Sequence, residues 1–517
     1  MNKLKVIIDN LGHTFIKYIL NIDSQKTSMG NLSLTPTCDI KLSSTQIFYL
    51  EKIYTLVQNE RKHNFENDFQ TNSMHCTLKY LINEKNYYAQ KIRRNCGGEL
   101  YSHKKTGDDI IDFLGIKISK CYPKLLIPQN NFQMIDFSNE ERNYLKKIIE
   151  KDVLNNLVVI NKNNDKRIGF SLIKRNQEEI SIECVCDILN MFLDIIIKSF
   201  NNCEYRLDFS LPKVFKEIKL AINMLRRIAE RKNIDYSRFT GLKGLVFDGF
   251  KEINLSNIIV RHIEKSEFKE KNIGLTTIIT ANRPKNNISG VIIETKHRLK
   301  FKKILKNTEY NCYENNHDIF SENEEDRRIS DFNLAILFTL NKLDNVTISF
   351  KDTGFWIGRS KYVYDHQNYS KTFIINKEDV SEVKKWYNLL QNSPVIISET
   401  IINIKNALLN SKDETDSIMN GFYAWEGMFT SKSDTSNSVI KSLALYTGKS
   451  EKRINELYDK FRSHKSHGKA FKKDNKVNSF EIKNEVLDIA ITSLKRLLQD
   501  SELIDLKPSK RVKKLEI

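Results

Sequence analysis

The sequence predicts an α+β protein: an N-terminal mixed α/β region with a β-sheet, followed by a C-terminal all-α helical bundle. Three observations predict it. β-branched and aromatic runs with Gly- or Asn-rich breaks cluster between residues 244 and 376. Amphipathic helical periods dominate after residue 378. The 517 residues are enough for several cores rather than one stapled scaffold. With only seven prolines and no Gly/Ser tract, boundaries follow changes of period. They fall at 1–170 (mixed α/β), 171–377 (β-rich, with a basic helix), 378–505 (helical bundle) and 506–517 (basic tail).

In the front region KVIID at 5–9 and LVVIN at 157–161 read as strands among polar helical stretches. The stretch DILNMFLDIIIKSF at 187–200 is helical but is interrupted by Asp and Lys, short of the ~18 uninterrupted apolar residues of a membrane span. The first residues carry no secretory pattern, so a soluble, cytoplasmic protein with no membrane association is expected. From 213 to 231, Val214, Ile218, Ile222, Leu225 and Ile228 form one helical stripe opposite Lys213, Lys216, Lys219, Arg226 and Arg227. The runs GLVFDGF, GLTTIITANRP, SGVIIETKHRLKF, NVTISFKDTGFWIG and TFIIN follow as strands, and the acidic stretch 311–331 reads as a long exposed loop between them.

The bundle begins with Ser393-Pro394, read as an N-cap and first-turn proline opening a helix to about Leu409. A second helix aligns Ile418, Phe422, Trp425 and Phe429, and a third stops at Gly448. Ser450 caps a fourth with Ile454, Leu457, Tyr458 and Phe461 inward. The last runs from Ser479 to about Asp500 with Val486, Leu487, Ala490, Ile491, Leu494 and Leu498 inward. The closing KPSKRVKKLEI reads as a disordered basic tail that adds weak RNA affinity.

Charge points to polyanionic partners: 83 Lys and Arg against 65 Asp and Glu give +18, with nucleic acid ahead of an anionic membrane. The eight cysteines have no CxxC pair, so they read as reduced thiols, and His75-Cys76 with Cys96 lacks zinc-site spacing. No metal or cofactor is expected. Phosphate-loop, GxSxG and HExxH motifs are absent.

The chemistry concentrates in YDKFRSHKSHG, 458–468. Arg462 follows the apolar stripe and sits at its edge, whereas His467 precedes Gly468, a helix stop. A guanidinium binds two phosphate oxygens as charge builds, and an imidazole moves the proton of a ribose 2′-hydroxyl or a leaving oxygen. On an ideal helix the two side chains diverge by about 140°, so two copies of the segment, brought together in a dimer, would complete one site.

The order Trp425-Glu426, a Gly-terminated helix, Tyr458, Arg462-Ser463, His467-Gly468 and a long final helix resembles the HEPN superfamily, particularly its ApeA-like branch in bacterial phage defence. The resemblance covers about 380–505 and implies a metal-independent endoribonuclease active as a homodimer or higher homo-oligomer. It implies Arg462 as the phosphate-stabilising cation, His467 as general acid/base, Ser463 as a supporting polar residue, Glu426 as a partner of Arg462, and Tyr458 behind the motif. A second histidine, His464, lies in the spacer, while Lys465, Lys469, Lys472 and Lys473 would draw in RNA phosphates. The front region would sense a phage-derived or small-molecule trigger and restrain the bundle. HEPN domains also occur as non-catalytic RNA-binding or dimerisation modules.

A third reading is a metal-dependent PD-(D/E)xK-like nuclease with Asp248, Glu294 and Lys296. Alternation along a strand puts Glu294 and Lys296 on one face, as such a site requires.

Overall fold

The computed structural model describes residues 13–22, 42–66, 88–126, 136–160, 166–173, 179–206, 210–263, 290–299, 301–303, 322–343, 347–352, 361–363, 373–410, 413–430, 435–459 and 479–515, with positions 3, 7, 11 and 81. These residues form an α+β fold that divides into two compact units interleaved along the chain. Unit 1 takes residues 1–242, 261–321 and 348–365; unit 2 takes 243–260, 322–347 and 366–517.

Unit 1 opens with α1 (His13–Ile19), α2 (Ser44–Glu66), α3 (Tyr88–Asn95), α4 (Asp109–Leu125) and α5 (Asn139–Ile149). Ile7 is helical rather than part of a strand, because Ile7, Leu11, Phe15 and Ile19 recur every four residues and are all buried. A 3-10 turn (Val153–Leu157) leads into β1 (Val158–Ile160), β2 (Lys166–Ile173) and β3 (Glu179–Asp187). These strands are antiparallel in the order β1-β2-β3, with Phe170 opposite Ile182. Next come α6 (Ile188–Tyr205), α7 (Leu211–Ala229) and β4 (Ile234–Lys243).

On α7 the expected stripe Val214, Ile218, Ile222, Leu225 and Ile228 is completely buried in the core shared by α1 to α7. Its basic face is partly committed to structure. Asp108 caps α4 through Ile111 N and Asp152 caps the 3-10 turn through Leu154 N. Arg226 bridges the two caps, with Nη2 3.0 Å from Asp108 Oδ1 and 2.6 Å from Asp152 Oδ2. One guanidinium thereby joins the starts of two elements to α7.

The chain continues through β5 (Leu245–Asp248), β6 (Glu252–Asn254), β7 (Ile258–Ile263), β8 (Gly290–Leu299) and β9 (Phe301–Lys303). After α8 (Glu322–Leu340) follow β10 (Thr347–Asp352), β11 (Lys361–Val363) and β12 (Phe373–Asn376). In unit 1, β11, β10, β4 and β8 are successive neighbours in one sheet. The GLTTIITANRP run lies outside the described residues.

In unit 2, β5 and β12 pair in parallel, Leu245 opposite Phe373 and Asp248 opposite Asn376. The part of the supposed loop 311–331 that is described is helix α8, and residues 331–338 are buried without a break. Glu322, Glu324, Glu325 and Asp326 suit the positive end of a helix, and the apolar DFNLAILF that follows carries it through the core.

The helices that follow are α9 (Asp379–Gln391), α10 (Val395–Lys405), α11 (Glu414–Met428), α12 (Thr435–Thr447), α13 (Glu451–Leu457), α14 (Ser479–Gln499) and α15 (Pro508–Lys514). Pro394, not Ser393, is the cap of α10; the Ser393 hydroxyl instead donates back to Leu390 O at 2.8 Å. Gly448, with φ +73°, ends α12 as its position predicts. The basic tail is also corrected: Pro508–Lys514 is helical, and Arg511 is wholly buried. Its Nε donates to Leu503 O (2.9 Å), Nη1 to Met428 O (3.2 Å) and Nη2 to Ile504 O (2.9 Å). Burial pulls its pKa down to about 10. A sequence window sees only the charges, whereas carbonyls left over at helix and turn ends gave this guanidinium an interior place.

Candidate active site

Helix α11 is the platform of the site. Its stripe Ile418, Phe422, Trp425 and Phe429 is buried as expected, and the Trp425 indole N–H donates to Val486 O on α14 at 3.1 Å. Two glycines let neighbours approach closely. A Cβ on Gly421 would lie 2.6 Å from Val486 Cγ1, and one on Gly427 would lie 2.6 Å from Thr400 Oγ1 on α10. Both contacts are too short for any side chain, so α11 is wedged between α14 and α10.

On α13, Ile454 and Leu457 turn inward and Tyr458 is buried after them. The helix widens into a π turn at Tyr458 and Asp459. Arg453 on α13 and Lys449 just before it pair with α14, at 2.6 Å to Glu485 Oε2 and 2.7 Å to Asp488 Oδ2. The Arg453 hydrogen bond holds the Glu485 carboxyl below its ordinary pKa.

Glu426 and Tyr458 meet directly: the Tyr458 hydroxyl donates to Glu426 Oε1 at 2.7 Å. The Phe422 ring stands edge-on to the Tyr458 ring at 5.8 Å, fixing its direction. Thus two residues 32 positions apart, both singled out from sequence, share one contact at the C-terminal end of α11.

The stretch 460–478 starts two residues after Tyr458. Arg462, Ser463, His464, Lys465, His467, Lys469, Lys472 and Lys473 all lie in it, outside the described residues, as do Phe461 and Gly468. The chain resumes at Ser479, whose hydroxyl donates to Glu414 in the first turn of α11. The two anchors, Glu426 and Glu414, are twelve residues apart on one helix, about 18 Å along its axis. The described residues on either side of that stretch, Tyr458 and Ser479, therefore contact α11 near its two ends.

The Asp248, Glu294 and Lys296 constellation is arranged differently. Glu294 lies on β8 in unit 1 and Asp248 in unit 2; Lys296 is exposed while Glu294 is buried. Oε1 of Glu294 accepts from Arg206 Nη2 (2.8 Å) and Ser237 Oγ (2.7 Å), and Oε2 accepts from Arg261 Nη1 (2.7 Å). Burial would raise its pKa, but Arg206, Ser237 and Arg261 outweigh that and hold it at about 2. Before ligating a cation, this carboxylate would have to shed both guanidinium partners. Neither Arg206 nor Arg261 stands near Glu294 in the chain, so no sequence window signals the cluster.

No family model matches the chain, and no solved structure matches it. Among the described residues, no helix is long and apolar enough to cross a membrane.

Proposed function

We propose that the chain is a metal-independent endoribonuclease of the HEPN type, serving as an anti-phage or toxin-like effector in the cytoplasm. The observation that carries this reading is the Tyr458 to Glu426 contact, which fastens the foot of the Arg462 and His467 segment to α11. A carboxylate fixed by a phenol is suited to holding a guanidinium in turn, so Glu426 orients Arg462. Arg462 then stabilises the pentavalent phosphorane as charge accumulates on its oxygens, and His467 transfers the proton of the 2′-hydroxyl or of the departing 5′-oxygen.

On an ideal helix the spacing of Arg462 and His467 would point them about 140° apart, so a homodimer or higher homo-oligomer completes each site with segments from two protomers. The N-terminal region gates this activity in response to a phage-derived component or a small molecule. In cells challenged with phage, the wild-type protein is expected to arrest growth and degrade RNA, and Arg462→Ala to do neither at equal protein level. Equal toxicity of the two would defeat the nuclease reading, and RNA binding without turnover in either would favour a non-catalytic module.

A further inference from the structure

Helix α15 is short, strongly basic and turned in one fixed direction. Its inward contacts are Arg511, held by three carbonyls, and Val512, also buried. With that rotation set, Lys507, Lys510, Lys513 and Lys514 face outward and are exposed or partly exposed. Lys514 pairs with Glu502 at 2.7 Å. Among the described residues, no carboxylate lies within ion-pair distance of Lys507, Lys510 or Lys513.

Like charges gathered this closely repel one another, and among the described residues no carboxylate pairs with these three. Their position is also specific. Arg511 docks α15 on Met428 O, two residues beyond Glu426 and at the same end of α11 from which the Arg462 and His467 segment departs. That offset is about 3 Å along the helix axis. Exposed ammonium groups there suit a phosphate backbone, which lysines meet as point charges without reading bases.

We propose that α15 is an RNA-backbone contact: Lys507, Lys510 and Lys513 bind phosphates of a single strand leading to the Arg462 and His467 segment, while Arg511 serves only to seat the helix. This rests on the nuclease reading for the identity of the polyanion and adds to it a binding surface that is separate from the cleaving groups.

The test is fluorescence anisotropy with a 2′-O-methyl, uncleavable RNA of about 20 nucleotides, titrated between about 50 and 200 mM KCl. The variant is Lys507→Gln/Lys510→Gln/Lys513→Gln, with Arg511 retained and an unchanged Tm showing that α15 stays docked. Loss of three contacts lowers the steepness of log Kd against log salt by about 2 and weakens binding at the low-salt end at least about tenfold. An unchanged slope and affinity would overturn the proposal, as would failure of the wild-type protein to bind this RNA. Loss of binding to phosphatidylserine vesicles with RNA affinity intact would also overturn it, making the surface a lipid face. Cleavage of unmodified RNA by the triple variant is followed separately. Arg462-dependent cleavage with an unchanged salt slope sinks the α15 contact alone, whereas an altered slope with no cleavage in any protein sinks the nuclease reading alone.

Discussion

The Tyr458 hydroxyl donates to Glu426 Oε1 at 2.7 Å, joining the end of α13 to the last turns of α11. Both partners are half-buried or better, so the bond works at reduced dielectric, and it ties the carboxylate to a residue four positions before Arg462.

Tyr458→Phe keeps the ring against Phe422 and removes only the donor. A hydrogen bond to a charged group is worth about 1.5–3 kcal/mol, so RNA cleavage should fall roughly tenfold or more if Glu426 orients Arg462. Single-turnover rates beside thermal unfolding curves check this. A drop in Tm with an unaltered rate would make Tyr458 a packing residue only.

The Arg511 cage predicts that the C-terminus is structural. Truncation after Leu506, or Arg511→Ala, uncovers the carbonyls of Met428, Leu503 and Ile504 and should cost about 2–4 kcal/mol in urea unfolding. A loose tail would be removable without change in midpoint.

Acid stability should report Glu294. Its folded pKa of about 2 lies below its ordinary 4.5, so the unfolded chain takes up the proton first as pH falls. The carboxylate therefore adds stability above about pH 4.5, on the order of 3 kcal/mol, that is lost as pH drops through about 2. Glu294→Gln takes the shared carboxylate away from Arg206 and Arg261, leaving Arg206 its pair with Glu217 at 2.8 Å, so it should be less stable at pH 7 and show a shallower acid limb. Urea midpoints across pH 2–7 decide it; parallel curves for the two proteins would contradict the assignment.

Much of this fold was legible because helical periods reflect burial directly. The stripes of α7, α11 and α14 read from sequence are the ones buried, as are Ile454, Leu457 and Tyr458 of the α13 stripe, whose Phe461 lies outside the described residues, and Gly448 marks the end of α12. What escaped was long-range. Acidic residues at the start of α8 look like a loop until the core that accepts its second half is known. The parallel pairing of β5 with β12 joins segments with no local mark. Glu294 resembled a metal ligand because its arginine partners come from the turn after α6 and from β7. At the candidate site, Glu426 and Tyr458 were legible as residues but their contact was not, since it depends on α11 and α13 meeting.

The central claim is tested most directly by incubating purified protein with single-stranded RNA in excess EDTA. Cleavage should proceed, and Arg462→Ala and His467→Ala should each abolish it while leaving Tm and oligomeric state unchanged. Cleavage that persists in both variants, or that requires added Mg²⁺ and disappears in Glu294→Ala, would contradict it.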